Sequence, residues 1–190
     1  SEKDLITVYS DGDISDIDDF RGLKNSLNSE QLSLTDRNSP TVCFLDENLF
    51  KTIFRVRDFY RPEWFLAETF DVKKLKDFME KEKHWVVVSA GKSRIVREQD
   101  GEVLNTQEVK TRVDRKHTQG GFSQKRFERK RQEQIDEHLE ALREKLPNEF
   151  LLLGDRKLCK QLEEDYLGGF DDNRSLVDGL YGFHMIQEQG

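Results

Sequence analysis

Two short runs of consecutive apolar residues limit what this chain can fold into: Trp85-Val86-Val87-Val88 within His84 to Ala90, and Phe150 to Leu153. Neither alternates with polar residues, so each reads as a strand buried on both faces, the pattern of the inner strands of an α/β sheet. These runs matter because the rest is so polar. Only 35% of the 190 residues are hydrophobic and the mean hydropathy is −0.81, so the core must come from a few concentrated segments. No stretch reaches the roughly 20 apolar residues of a spanning helix, and the first residues lack the basic, apolar, small order of a signal peptide. The expected protein is soluble and cytoplasmic, with no membrane partner.

Between the two runs, Asp100-Gly101 separates Arg94-Ile95-Val96 from Val103-Leu104. Asp-Gly is a favoured type I′ pair, so Ser93 to Arg112 is predicted to be a hairpin whose second strand continues through Val109. Residues 114–121 read as a loop. A long helix is predicted from Ser123 to Lys145, with Ile135, Leu139, Leu142 and Leu146 on one stripe and Pro147 closing it. After the second run, Arg156 to Asp165 reads as a short helix, Asp165 to Asp172 as a Gly-rich turn, and Leu176 to Ile186 as a final strand with a glycine-punctuated loop at Gly179 and Gly182. Ahead of the first run, Thr41 to Leu45 and Trp64 to Phe70 suit strands and Val72 to Lys81 a helix, while Leu49 to Tyr60 has no clean period. Trp64, Trp85, Phe78 and Phe150 are expected in the core. The order predicts an α/β fold, a mixed β-sheet flanked by helices.

Residues 1–40 are rich in Asp, Ser and Asn, and are expected to be an acidic, poorly structured N-terminal extension with at most one short helix; residues 41–190 form the domain. Asp11-x-Asp13-x-Ser15 begins like a calcium loop, but Asp16 stands where the turn glycine belongs and Gly22 where the bidentate Glu belongs. Cys43 and Cys159 are far apart, without ligand spacing, and are expected to be buried free thiols. No metal site and no cofactor are expected.

The net charge is −7, with 31 basic and 38 acidic residues. Lys110 to Arg131 departs from that average, with nine basic residues and two acids for a charge of +7, so everything else sums to −14. Such a focus is the footprint of a phosphate-backbone partner. From Glu128 to Gln134 the predicted helix has no apolar residue, so its first half is expected to project from the body. A charge run alone also fits a solvated helix. Gln119-Gly120-Gly121-Phe122-Ser123-Gln124 adds chemistry to it. Adjacent glycines let backbone groups approach a ligand closely. Ser123 suits a helix cap, and the Gln124 amide can donate and accept at once. Phe127, four residues beyond Ser123, is expected to pack the base of the helix rather than to stack on RNA.

Lys116 to Arg129, KHTQGGFSQKRFER, resembles the Gly-Gly-Gln loop and following Arg-Phe-x-Arg helix in the middle domain of eukaryotic and archaeal class I release factors. The VVVSAG strand, hairpin, loop, long helix, FLLLGD strand and closing LVDGLYGFH follow that domain's order over residues 64–187. Here Phe122 and Ser123 separate the glycines from Gln124. The resulting Gly-x-x-Gln is similar to Vms-type relatives, the peptidyl-tRNA hydrolases of ribosome quality control known in animals as ankyrin-repeat and zinc-finger proteins. The resemblance implies a release-factor-like catalytic domain with a mobile glycine loop. It would act codon-independently on stalled ribosomes or large subunits to release the nascent chain.

Its implied partners are the large ribosomal subunit, peptidyl-tRNA and rRNA, met as a monomer. Gln124, Gly120 and Gly121 would be catalytic, with Gln119 the other candidate glutamine. Arg115, Lys116, His117, Lys125, Arg126, Arg129, Lys130 and Arg131 would bind RNA; for His117 a general-base role is the alternative, its ordinary pKa lying near neutrality. Two variants stay open, endonucleolytic cleavage near the tRNA 3′ CCA end and a noncatalytic ribosome- or RNA-binding module.

Overall fold

The computed structural model describes residues 5–11, 14–29, 31, 40–46, 50–55, 62–116, 120–162 and 165–187. The chain divides into two compact units, residues 1–81 with 171–190, and residues 82–170. Each carries a five-stranded sheet with helices, so the α/β expectation stands, with two sheets in place of one.

In the first unit the strand order is β10-β3-β2-β1-β4, formed by His184–Gln187, Phe50–Arg55, Thr41–Leu45, Leu5–Ser10 and Glu63–Ala67, all antiparallel. Residues 5–10 therefore correct the picture of a poorly structured extension. Leu5-Ile6-Thr7-Val8-Tyr9 pairs with β2 on one side and β4 on the other, and residues 6–10 are buried throughout. Ile6, Val8, Cys43 and Leu45 face a cluster of Ile14, Ile17, Leu23 and Leu27, supplied by a 3₁₀ turn at Ile14–Asp16 and helix α1, Phe20–Ser26. Asp19 caps α1 by accepting from the Gly22 N–H at 3.2 Å. The acid-rich segment thus serves a cap and a core.

Thr7 and Tyr9 point the other way: the Tyr9 hydroxyl donates to the Asp71 carbonyl at 2.6 Å and the Thr7 hydroxyl accepts from the Asp71 N–H at 2.9 Å. Burial pushes the Tyr9 phenol up to about 12. Helix α2, Lys73–Glu80, follows as predicted.

The second unit has the order β7-β6-β5-β8-β9. Lys83–Val88 (β5) pairs antiparallel with Lys92–Gln99 (β6), which pairs antiparallel with Glu102–Lys110 (β7). Leu151–Gly154 (β8) runs parallel to β5, and Tyr166–Gly168 (β9) parallel to β8. The expected Gly-rich turn at 165–172 therefore contains a strand, closed onto β8 by the Tyr166 hydroxyl donating to the Gly154 carbonyl at 3.0 Å. Both apolar runs lie next to each other at the sheet centre. Adjacent parallel strands require a long crossover, and the hairpin, the loop and helix α3, Phe122–Arg143, make it.

At the hairpin turn Asp100 and Gly101 have φ of 52° and 77°, both positive as a type I′ turn requires. Glu98, fully buried, accepts from Trp85 Nε1 at 2.9 Å, the Gly101 N–H at 2.8 Å and Lys83 Nζ at 3.2 Å. Three donors meet the cost of burying that carboxylate.

Val86, Val88, Ile95, Val109 and Leu152 meet Ile135, Leu139 and Leu142 of α3 and Leu158 and Cys159 of α4, Arg156–Lys160. Both cysteines are buried and unbridged, and burial pushes the Cys159 thiol up to about 12. Within Leu176 to Ile186, expected to hold a final strand and a glycine-punctuated loop, Leu176–Tyr181 is a helix (α5) capped by Ser175, whose hydroxyl accepts from the Asp178 N–H; the strand comes after it, at β10. Among the described residues no helix is long and apolar enough to cross a membrane.

Candidate RNA-facing loop and helix

The site is built on α3, and the middle of that helix roots it. His138, fully buried, places Nδ1 2.8 Å from Thr111 Oγ1 and Nε2 2.8 Å from Ser93 Oγ. Ser93 Oγ also accepts from the Ser89 N–H and donates to the Ser89 carbonyl, each at 3.3 Å. With that hydroxyl proton on Ser89, His138 donates from Nε2 to Ser93, and Nδ1 accepts from Thr111, so a neutral imidazole satisfies every group. Burial holds the His138 pKa below its ordinary value, against an opposing pull from the Ser89 backbone. Thr111 also donates its N–H to the Gly91 carbonyl at 3.0 Å. The first residue after β7 is thereby fixed to the β5–β6 turn and to the helix core.

Asp114 makes the second attachment. Its N–H donates to Gln134 Oε1 at 2.8 Å, and its carboxylate accepts from Gln134 Nε2 at 3.2 Å, Lys130 Nζ at 3.2 Å and Arg112 Nε at 3.3 Å. Arg131 Nε donates to the Asp114 carbonyl at 3.1 Å. The Lys130 ammonium, then the Gln134 amide, hold the carboxyl below the usual range. The strap between β7 and α3 is thus docked at the level of Lys130 to Gln134, about 15 Å along the helix from its tip.

At the tip, Gly120 and Gly121 are exposed. Gly121 precedes the helix with φ 147° and ψ 175°, a region essentially restricted to glycine. The helix begins at Phe122, so Ser123 lies inside it and does not cap it; the N-cap residue is Gly121, which offers no side-chain cap. Gln124 donates its backbone N–H to the Gly121 carbonyl at 3.0 Å and Nε2 to Glu128 Oε1 at 3.0 Å. Its Oε1 faces Gly120, where it would stand 3.8 Å from a Cβ added there. Glu128 is acceptor-only when ionised, so it takes the NH₂ edge of the amide and leaves the carbonyl edge toward the glycines. By helical spacing Gln124, Arg131, Ile135, His138 and Leu142 share one stripe. His117 and Gln119 lie outside the described residues.

Arg115, Lys116, Lys125, Arg126, Arg129 and Lys130 are exposed. Lys130 and the half-buried Arg131 also brace the strap through Asp114, and Arg129 Nε lies 3.6 Å from Glu133. Residues 122–131 hold five basic residues and one acid, and residues 132–143 four acids and one basic residue. A helix macrodipole favours the reverse order. This charge pattern costs the helix stability, so it is not explained by helix formation. Phe127, expected to be packed, is 44% exposed, the only aromatic among the exposed large hydrophobic residues described. Trp85 and Phe78 are buried, and Trp64 and Phe150 pack partly buried against the two cores.

Sequence reasoning missed His138, Asp114 and Glu128. Their signals were weak: a lone histidine on a core stripe, one acid in a basic window, and an i,i+4 Gln–Glu pair of the kind that interacts on any helix.

No curated protein matches the chain. The family model of the Actinobacteria/chloroflexi VLRF1 release factor matches residues 82–177, just over half of its length. The match begins where the second unit begins and spans all of it, from β5 through the hairpin, strap, glycine loop and α3 to β9. The strands of the first unit lie outside it, so the match is narrower than the 64–187 over which the release-factor order was read. With its glycine loop, basic helix tip and buried root all inside the matched segment, the chain belongs to the VLRF1 release-factor family.

Proposed function

We propose that this chain is a codon-independent peptidyl-tRNA hydrolase that frees nascent chains from stalled ribosomes or large subunits, as its Gly-x-x-Gln likeness to the Vms-type enzymes suggested. One observation carries the reading: the Gln124 carbonyl is aimed at Gly120 at the exposed tip of a basic helix, with the amide edge held back by Glu128. Residues 82–177 are the catalytic region in this view. The tip meets peptidyl-tRNA in the peptidyl-transferase centre, while Arg115, Lys116, Lys125, Arg126, Arg129 and Lys130 hold phosphates of tRNA and rRNA. The acidic remainder is repelled by RNA, so the loop alone approaches it.

In this mechanism Gln124 Oε1 accepts a hydrogen bond from the attacking water and orients its lone pair on the ester carbonyl carbon. The carbonyl oxygen takes the negative charge as the C–O bond to water forms. Backbone N–H groups at Gly120, Gly121 and the uncapped first turn stabilise that charge, together with the positive end of the helix dipole. Collapse breaks the bond to the tRNA 3′ oxygen, which receives the proton lost by water. Gln124 positions rather than ionises, so the reaction is expected to have no pH dependence from Gln124 itself.

The test is to incubate the protein with ribosomes stalled on sense and on stop codons, and with large subunits carrying peptidyl-tRNA, and to weigh both the freed peptide and the tRNA 3′ end. Free peptide with an intact CCA end on both codon types supports ester hydrolysis. A shortened tRNA replaces it with endonucleolytic cleavage, and binding without release with a noncatalytic module.

A further inference from the structure

We infer that Gln134 is a positioning residue for the release reaction, clamping Asp114 so that Gly120 stays opposite the Gln124 carbonyl; its effect on release rests on the hydrolase reading, the clamp itself does not. The two acids of the basic window each bond a glutamine of α3, Glu128 holding Gln124 and Asp114 meeting Gln134. The second pair is the more complete. One Gln134 amide commits both edges to one residue, Oε1 accepting the Asp114 N–H at 2.8 Å and Nε2 donating to the Asp114 carboxylate at 3.2 Å. Backbone and side chain of Asp114 are therefore fixed together, in a half-buried place. The Lys130 and Arg112 contacts to the same carboxylate are largely exposed ion pairs, screened by water and salt and worth less.

Asp114 is where the strap leaves the helix. Val113 before it packs against the core, while Arg115 and Lys116 beyond it are exposed. Six peptide links join Asp114 to Gly120, a reach of at most about 22 Å. The ten-residue step from Gln134 to Gln124 takes up about 15 Å of it. So little spare length confines Gly120 to a narrow place. Release of Asp114 moves the fixed origin back toward Thr111, which His138 and Gly91 hold, and adds up to three links, about 10 Å of reach. Gly120 then samples a larger volume and meets Gln124 for a smaller fraction of the time. Gln134 touches no reacting atom and is not among the cations assigned to RNA. Its substitution therefore changes the geometry of the loop without changing the groups that bind or react.

The experiment combines two measurements on the full chain. Trypsin needs several undocked residues on each side of the bond it cuts, so the rate of cleavage after Arg115 reports how often Asp114 lets go, with no ribosome present. Gln134→Ala is expected to raise that rate about tenfold, the scale of two lost hydrogen bonds. It is also expected to lower kcat for peptide release about ten- to hundredfold with KM unchanged. Gln134→Glu, which sets a second carboxylate against Asp114, is expected to do the same. Adding Asp114→Asn to it exchanges donor and acceptor across the pair and is expected to restore both rates to near the parent's. Circular dichroism melts separate loss of the clamp from misfolding. Unchanged cleavage in Gln134→Ala, an unchanged kcat despite faster cleavage, or failure of the paired exchange to restore the cleavage rate would overturn the inference. A parent that releases no peptide would sink the hydrolase reading and leave the clamp to be decided by cleavage alone. A parent that releases peptide at a rate indifferent to Gln134 would sink the positioning role and leave that reading standing.

Discussion

The two halves of α3 are one continuous helix with opposite designs. Residues 132–143 turn Ile135, Leu139 and Leu142 into the core, bury His138 among hydroxyls and show acids to solvent. Residues 123–131 show no buried apolar side chain, carry five basic residues and hold Gln124, Glu128 and an exposed Phe127. The stability of the tip is borrowed from the root, because an isolated helix of ten such residues is marginal in water. Rigid positioning and a charged, open surface are incompatible in one packed segment, and the chain separates them along a single axis.

Substitutions in each half should therefore fail differently. Gln124→Ala has the largest expected effect, a loss of release of about 100-fold or more, the scale of deleting one positioned polar group from an acyl-transfer site, with ribosome binding and melting temperature unchanged. Loss of stability in that variant would place Gln124 in the root's class. His138→Leu is expected to do the reverse. It leaves the Thr111 and Ser93 hydroxyls without their ring partners and should lower stability by about 2–4 kcal/mol, read from chemical denaturation.

The same histidine gives the root a pH dependence. Its folded pKa lies below the ordinary 6.5, so the unfolded chain binds a proton that the native state refuses. The contribution is complete above about pH 6.5 and is lost as pH falls toward the depressed native value. In His138→Leu this part of the acid sensitivity should vanish; a curve parallel to the parent's between pH 7 and 5.5 would count against the buried neutral imidazole.

Arg126→Glu with Arg129→Glu should weaken ribosome binding about tenfold at moderate salt and flatten its salt dependence, since two phosphate contacts and their released counterions go. Lys130 is left alone in that pair because it also braces Asp114. Unchanged binding would mean a merely solvated helix. The smallest effect belongs to Glu128→Gln. A neutral amide can present either edge, so Gln124 loses its fixed orientation, and kcat should fall about three- to tenfold with KM unchanged. A change in KM alone would place Glu128 in substrate binding.

What the sequence made legible follows from local physics. Asp100-Gly101 fixes a turn whatever surrounds it, and Trp85–Val88 can only be buried, so hairpin, central strands and α3 were readable. β1 was not. Its Leu-Ile-Thr-Val-Tyr run sits among acidic neighbours, and averaging over residues 1–40 concealed a strand paired on both edges. Leu176–Tyr181 misled because Gly179 suggests a break, whereas the Ser175 cap and tertiary burial carry the helix through it. At the site, the Gly-Gly-x-x-Gln spacing and the basic window were visible because they are contiguous. The His138 and Asp114 attachments join residues 17 to 45 positions apart, and no local pattern reveals them. Phe127 is more exposed than expected because the residues around it on the helix, Ser123 to Gln134, are otherwise polar or charged.

The inverted charge order of α3 has a consequence for how the tip frays. Five cations at the positive end of the peptide dipoles repel that end and one another, so the first turns are the part of the helix most ready to unwind. A polyanion reverses the balance, converting the repulsion into attraction at the same positions. If the proposed function holds, the RNA bound at this tip acts as its missing cap, and the first turn is fully wound only when there is something to cut.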